Sequence, residues 1–201
     1  MRRQSRWRER TCSGAVKKMK RTRKSNSLFP TKARGAGFFS ASDTRPYLPR
    51  GVLFGQSNEY SCVPACTRML ILDQVPGAMH DPNLSEAFLR TQFQTDKAGS
   101  VIARIPALLR ASGIEASYAY ARDLTLAQLR HALTHGDAVA VLRDPQNIHV
   151  VIVEQITEDA VALRDPLPPG TGSAYWVALE TFLTAWQRTG LGSAVVLESA
   201  L

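Results

Sequence analysis

A cysteine at the predicted start of a helix is the residue of this 201-residue chain best placed to do chemistry. A polar segment ends at Ser61, and an apolar run with helical spacing follows from Cys62 to about Asp73. Ser61 is a favourable N-cap residue, and Pro64 falls in the first turn, where a missing N–H costs no intrahelical hydrogen bond. The unpaired backbone N–H groups and the helix dipole favour the thiolate of Cys62. This position is typical of a nucleophile.

A glutamine six residues upstream, Gln56, suits the same chemistry. Its side-chain amide can donate a hydrogen bond to an oxyanion that forms beside the thiolate. Donors placed in this way contribute about 10²–10³ in rate. A short strand over residues 52–54 is predicted to deliver Gln56 to the start of the helix.

A histidine and an aspartate from the second half of the chain supply a base and a residue that orients it. His149 stands at the mouth of an apolar strand that runs to Ile156, and Asp165 follows a second strand. If residues 157–160 form a hairpin turn, the His149 end of one strand lies near the Asp165 end of the next. Asn147 and Asp144, just before His149, are alternative orienters.

Cys66 permits a second interpretation of the same residues, a zinc site formed by Cys62, Cys66 and His149. Three protein ligands with one open position make a catalytic zinc set. Two cysteines one helical turn apart lack the usual two-residue spacing on a turn, however, and Gln56 would then have no role. We therefore interpret Cys66 as a core residue, and we predict neither a metal nor a cofactor.

The order and spacing of these residues resemble the papain-like cysteine peptidases, most closely the bacteriocin-processing peptidases that cut after a double-glycine leader. The resemblance covers roughly residues 51–198, including Asp165-Pro166 and a later run of aromatic residues. It implies that Cys62 is the nucleophile, His149 the base, Asp165 its orienter and Gln56 the oxyanion donor. It also implies a cysteine peptidase, a thiol hydrolase, with a peptide or protein substrate.

The chain departs from that family at the nucleophile, where Asp-Cys-Gly is usual and this sequence has Ser61-Cys62-Val63. The leader-peptide substrate class is therefore an open question. Deamidation or transamidation by the same site is an alternative to hydrolysis. A non-catalytic module that binds peptides is another, although binding alone requires no thiol at a helix start.

The remaining pattern predicts an α+β fold, with helices in the first half and an antiparallel sheet in the second. This is the papain-like order, with the nucleophile helix packed on the sheet. Further helices are predicted to begin at Ser85, to follow Gly99-Ser100, to be capped by Thr125, and to span residues 179–186. The predicted strands are residues 114–121, 138–142, 148–156, 161–163, 174–177 and 194–198.

The charge is divided unevenly along the chain. Residues 1–50 contain 15 Lys or Arg and two acidic residues, a net charge of +13, whereas residues 51–201 carry a net charge of −5. We predict a basic, disordered arm and linker over 1–50 and a peptidase domain over 51–201. If the protein binds nucleic acid or an anionic surface, it does so through this arm.

The sequence contains no apolar run long enough for a membrane span and no secretory signal peptide. We therefore expect a cytoplasmic protein, or one that is exported by a route independent of a signal peptide. Neither the specificity nor the oligomeric state follows from the sequence.

Overall fold

The computed structural model describes residues 37–188 and 192–201. These residues form an α+β fold, as predicted, in which five α-helices accompany one seven-stranded antiparallel sheet. The helices are α1 (Cys62–Gln74), α2 (Glu86–Phe93), α3 (Ile105–Ala111), α4 (Leu126–Leu133) and α5 (Leu179–Trp186). The strands are β1 (Thr44–Pro46), β2 (Tyr118–Leu124), β3 (Ala138–Arg143), β4 (Ile148–Ile156), β5 (Ala160–Asp165), β6 (Ser173–Ala178) and β7 (Gly192–Leu197).

The strand order across the sheet is β1-β6-β5-β4-β3-β7-β2, and neighbouring strands are antiparallel throughout. Alternate side chains of the central strands enter two separate hydrophobic clusters. In β4, Val150 and Ile152 belong to a cluster with α1, α2 and α3, whereas Val151 and Val153 belong to one with α4 and α5. Since successive strand residues point to opposite faces, the sheet is covered by helices on both sides.

The nucleophile helix α1 is buried through most of its length. Its apolar side chains, from Val63 to Leu72, fill the cluster between the sheet and helices α2 and α3. Such an all-round apolar helix is typical of a core position. The predicted start at Cys62 is confirmed, but Ser61 does not cap α1 with its side chain. Its hydroxyl oxygen instead accepts from the Asn58 N–H at 3.3 Å, and the hydroxyl donates to the Asn58 carbonyl at 3.2 Å.

The other predicted helix starts follow their local signals. The Ser85 hydroxyl accepts a hydrogen bond from the Phe88 N–H and caps α2. A capping box at the start of α4 joins Thr125 and Gln128, each side chain bonding the other residue's backbone. These short-range hydrogen bonds explain why both helices could be located from sequence.

Two strand predictions are wrong in part. Residues 52–54 form no strand, although they do lead the chain to Gln56. The strand predicted over 114–121 is β2, which runs from Tyr118 to Leu124. The shift arises because the partner strand β7 ends at Leu197, which pairs with Tyr118, so the ladder begins only there.

The predicted domain boundary near Gly51 is also wrong, because residues 37–50 pack on the sheet. Strand β1 pairs with β6, and Phe39, at 6% exposure, belongs to the hydrophobic core. Pro46 lies in an edge strand, where its missing N–H is tolerated, so a proline that suggests a linker is compatible with a strand. Residues 1–36, the rest of the predicted arm, lie outside the described residues.

Within residues 37–188 and 192–201, no helix combines the length and the apolar character that a membrane crossing requires.

Candidate active site

The hairpin formed by β4 and β5 brings His149 and Asp165 together, as predicted. Its turn closes with a hydrogen bond from the Thr157 N–H to the Ala160 carbonyl at 2.8 Å. Nε2 of His149 lies 2.7 Å from Oδ1 of Asp165, and the two side chains are 6% and 0% exposed. The pairing therefore follows directly from the register of two neighbouring strands.

Four hydrogen bonds reach the carboxylate of Asp165. Besides His149, the Leu167 N–H donates to Oδ1 at 2.8 Å, and the Tyr175 hydroxyl and the Phe38 N–H donate to Oδ2, each at 2.6 Å. Burial favours the neutral acid, but the charge and hydrogen bond of His149, followed by the bonds from Tyr175 and Phe38, lower the pKa of Asp165. The carboxylate is thus held ionised inside the protein.

The imidazole of His149 is correspondingly held in its protonated form. Burial opposes protonation, but the Asp165 charge and hydrogen bond outweigh it, and together with a hydrogen bond to Cys62 they raise the pKa of His149 to about 10. Burial and the neighbouring Asp165 carboxylate also raise the pKa of Tyr175 well above its usual value, so this hydroxyl remains a donor.

Cys62 is the first residue of α1, and its thiol is half-buried. Its side chain lies close enough to the imidazole of His149 to contribute to the raised pKa of that ring. Because Nε2 of the ring is bonded to Asp165, Nδ1 is the nitrogen that remains for Cys62. Three of the four residues singled out in the sequence, Cys62, His149 and Asp165, thus lie together in one site.

The fourth residue, Gln56, is fully buried in the loop that leads to α1. Its backbone N–H donates to the Pro166 carbonyl at 2.9 Å, and its carbonyl accepts from the Gly170 N–H at 2.9 Å. These bonds attach Gln56 to the segment directly after Asp165. Its side-chain Nε2 donates to the Asn58 carbonyl at 2.6 Å, which accounts for one of the two amide hydrogens.

The loop that carries Gln56 is fixed from a second side by a buried carboxylate that sequence reasoning missed. Glu86, 5% exposed, accepts hydrogen bonds from the Ser57 N–H at 3.0 Å and from the Ser57 hydroxyl at 2.6 Å. Because Glu86 is the first residue of α2, the sequence marked it only as part of a helix start.

A second missed residue is Arg164, which is fully buried next to Asp165. Its guanidinium lies 2.6–2.7 Å from oxygens of three carboxylates and donates to the Val52 carbonyl at 2.6 Å; the carboxylates are Asp73, Asp137 and Glu154. It therefore joins the end of α1 to the sheet. The sequence did contain a signal for this cluster, an arginine within an apolar strand. A buried charged side chain requires partners of opposite charge.

Asn147, an alternative orienter of His149, and Cys66, an alternative metal ligand, make hydrogen bonds to other groups. Asn147 donates to Asp144 with its backbone at 2.7 Å and its amide at 3.5 Å, within the turn before His149. The Cys66 thiol donates to the Val150 carbonyl at 3.4 Å, and burial raises its pKa well above the usual value. Across the described ranges, no three His, Cys, Asp or Glu side chains are grouped to hold a metal.

Comparisons with known proteins place the chain in a family. Residues 52–194 match the Peptidase C39 family. Among solved structures, the chain is similar to the peptidase domain of Streptococcus ComA, a bi-functional ABC transporter involved in a quorum sensing pathway. The TM-score is 0.52 and the identity 22%, over 72% of this chain and 96% of that domain. A search of curated proteins finds no match.

The resemblance to the bacteriocin-processing peptidases, drawn from the sequence, is confirmed by these matches, as is the papain-like fold. Because the matched residues cover most of the chain, it belongs to the Peptidase C39 family of cysteine peptidases.

Proposed function

We propose that the protein hydrolyses peptide bonds with Cys62 as nucleophile, His149 as general base and acid, and Asp165 as the residue that orients the imidazole. The observation that carries this proposal is the buried His149–Asp165 pair, 2.7 Å apart, together with Cys62 at the start of α1, which contributes to the raised pKa of His149. A cysteine sulfur beside an imidazole that carries the proton, with the ring's other nitrogen bonded to a buried carboxylate, is the arrangement of an activated nucleophile.

The reaction proceeds in two steps. The Cys62 sulfur attacks the carbonyl carbon of the scissile peptide bond, and the imidazolium of His149 donates its proton to the departing amine. A thioester remains on Cys62. A water molecule then gives a proton to His149 and attacks the thioester carbonyl, which releases the carboxylic acid and restores the thiolate–imidazolium pair.

Each step passes through an oxyanion that requires hydrogen-bond donors. The first turn of α1 supplies the backbone N–H of Cys62, and Gln56 supplies its side-chain amide, as the oxyanion donor proposed from the sequence. The fixed position of the Gln56 loop, bound by Pro166, Gly170 and Glu86, supports this role, because a donor that needs no rearrangement stabilises the oxyanion best.

The substrate that this proposal implies is a peptide or a protein. The domain of ComA to which the chain is similar is described as a peptidase domain. Because Ser61-Cys62-Val63 differs from the usual family sequence at the nucleophile, we propose the peptide-bond chemistry without assigning a leader-peptide sequence to the substrate.

A pair of cysteine variants tests the proposal with a matched control. Cys62→Ala should abolish cleavage of a peptide library, measured by mass spectrometry of new termini. Cys66→Ala, one helical turn later, should retain it, because the Cys66 thiol donates to the Val150 carbonyl in the core. Cleavage by Cys62→Ala at the wild-type rate would refute the mechanism. Conversion of Gln to Glu without new termini would show deamidation instead.

A further inference from the structure

A segment that lies before the matched family region touches the proposed catalytic residues. The match begins at residue 52, whereas Phe38 of residues 37–47, here called the upstream segment, contacts both His149 and Asp165. We propose that Phe38 of this segment is a positioning residue: it holds the His149 ring toward Cys62 and keeps water from the bond between His149 and Asp165. This inference rests on the proposed function.

Phe38 contacts both members of the pair with different groups. Its backbone N–H donates to Oδ2 of Asp165 at 2.6 Å. Its ring lies parallel to the imidazole of His149, with centroids 5.6 Å apart and planes inclined by 6°. A flat ring stacked on the imidazole opposes rotation of that ring, because rotation breaks the parallel contact.

The preceding residue explains how the backbone approaches the carboxylate so closely. A Cβ at Gly37 would clash with Oδ2 of Asp165 and would lie 2.9 Å from the Ser173 hydroxyl. Only glycine therefore lets the chain pass at this distance and aim the Phe38 N–H at Asp165. The close approach of the backbone to Asp165 therefore depends on the glycine at position 37.

The rest of the upstream segment anchors Phe38 on the sheet. The buried Phe39 ring packs edge-on against Phe38 and Tyr175, with centroids 5.1 and 6.3 Å apart. Pro46 in β1 pairs with Tyr175 in β6, and the Tyr47 N–H donates to the Ala174 carbonyl at 3.1 Å. Since Tyr175 also bonds Asp165, β6 and the upstream segment hold the same carboxylate.

The main effect of Phe38 on the chemistry is to orient the imidazole of His149. With Phe38 in place, His149 is buried, is bonded to Asp165 through Nε2 and lies next to Cys62. Without the Phe38 ring, water competes for the bond to Asp165, and the imidazole spends less time directed at the thiol. The other titratable groups that face this set are Tyr175, through Asp165, and Cys66, through Cys62.

Alkylation of Cys62 by iodoacetamide tests this role in the full chain without a substrate. Peptide mass spectrometry resolves Cys62 from the other cysteines, and the rate is followed from pH 5 to 9.5. Phe38→Ala should lower the Cys62 rate at pH 6 by about three- to tenfold, the range expected when one aromatic pair is lost. Above pH 9, where cysteine thiols in water are largely ionised, the rates should converge.

Two further variants separate ring stacking from general loosening. Phe38→Tyr keeps the ring and should restore the wild-type rate within about twofold. Leu48→Ala, just past the segment and 88% exposed, should leave it unchanged. With a cleavable peptide, Phe38→Ala should lower kcat by the same factor as alkylation and leave KM nearly constant. If Phe38→Ala does not fold, Phe38→Leu takes its place, with the same outcomes.

The results distinguish this inference from the proposed function. Equal cleavage by wild type and Cys62→Ala defeats the proposed function, yet alkylation still decides whether Phe38 positions His149. An unchanged alkylation rate for Phe38→Ala at pH 6 overturns the inference. So does a rate lowered by one constant factor at every pH, because that result indicates altered access to Cys62.

Discussion

The burial of a charged histidine makes the stability of this protein dependent on pH. The pKa of His149 is about 10 in the folded protein, against 6.5 for an unperturbed histidine. A group whose pKa is raised on folding contributes stability that is fully present below its unfolded pKa. That stability is lost as the pH rises toward the folded pKa. The unfolding free energy should therefore decrease between pH 6.5 and pH 10.

The size of the decrease follows from these two values. Between pH 6.5 and 8.5 the unfolded state largely releases the His149 proton, whereas the folded state keeps it. The unfolding free energy should therefore decrease by about 2 kcal/mol over this range. For a chain of this size, this corresponds to a thermal midpoint lower by about 4–8 °C. The upper limit of pH 8.5 avoids the Cys66 thiol, whose raised pKa lowers stability at higher pH.

Thermal unfolding of wild type and His149→Gln at several pH values measures this contribution. The variant lacks the titrating group. Between pH 6.5 and 8.5 its thermal midpoint should therefore fall by about 4–8 °C less than the midpoint of the wild type. His131→Gln, an exposed histidine on α4, is the control and should follow the wild-type curve. Parallel curves for wild type and His149→Gln would refute the assignment of a protonated, buried His149.

Two other substitutions test the surroundings of the site. Arg164→Met should lower the unfolding free energy by about 3–5 kcal/mol, because it leaves the three carboxylates around Arg164 without their shared charge partner. Urea denaturation measures this loss, and a change below about 1 kcal/mol would contradict a net stabilising role for the cluster. Gln56→Ala should lower kcat by about 10²–10³ with little change in KM, measured with a cleaved peptide. An unchanged kcat would exclude Gln56 as an oxyanion donor.

The successful predictions depend on signals carried by residues close together in sequence. The start of α1 was located from the change in polarity at Cys62 and from Pro64 in the first turn. The proximity of His149 and Asp165 followed from two apolar strands joined by a short turn. Because a hairpin of this kind has few registers that bury its apolar residues, the contact could be inferred without knowledge of the rest of the fold.

The errors occur where local signals are ambiguous. Ser61 has the residue type of an N-cap, but its hydroxyl bonds the backbone of Asn58. The Asn58 backbone thus competes with the first turn of α1 for the Ser61 hydroxyl. Residues 37–50 were predicted as part of a linker, although an edge strand such as β1 tolerates a proline, here Pro46. Residues 52–54 are apolar enough for a strand, but they pack against the cluster that contains α1, and the N–H groups of Val52 and Phe54 donate to side chains of α1 instead of to a neighbouring strand.

The sequence by itself determined the helix that begins at Cys62, the alternation of the central strands and the hairpin that joins His149 to Asp165, because neighbouring residues encode these features. Only the tertiary structure decided which side chains surround that pair. Phe38 lies 127 residues from Asp165, and Arg164 lies 91 residues from Asp73. Such contacts depend on how separate elements pack, and no periodicity or spacing within either segment specifies the partner.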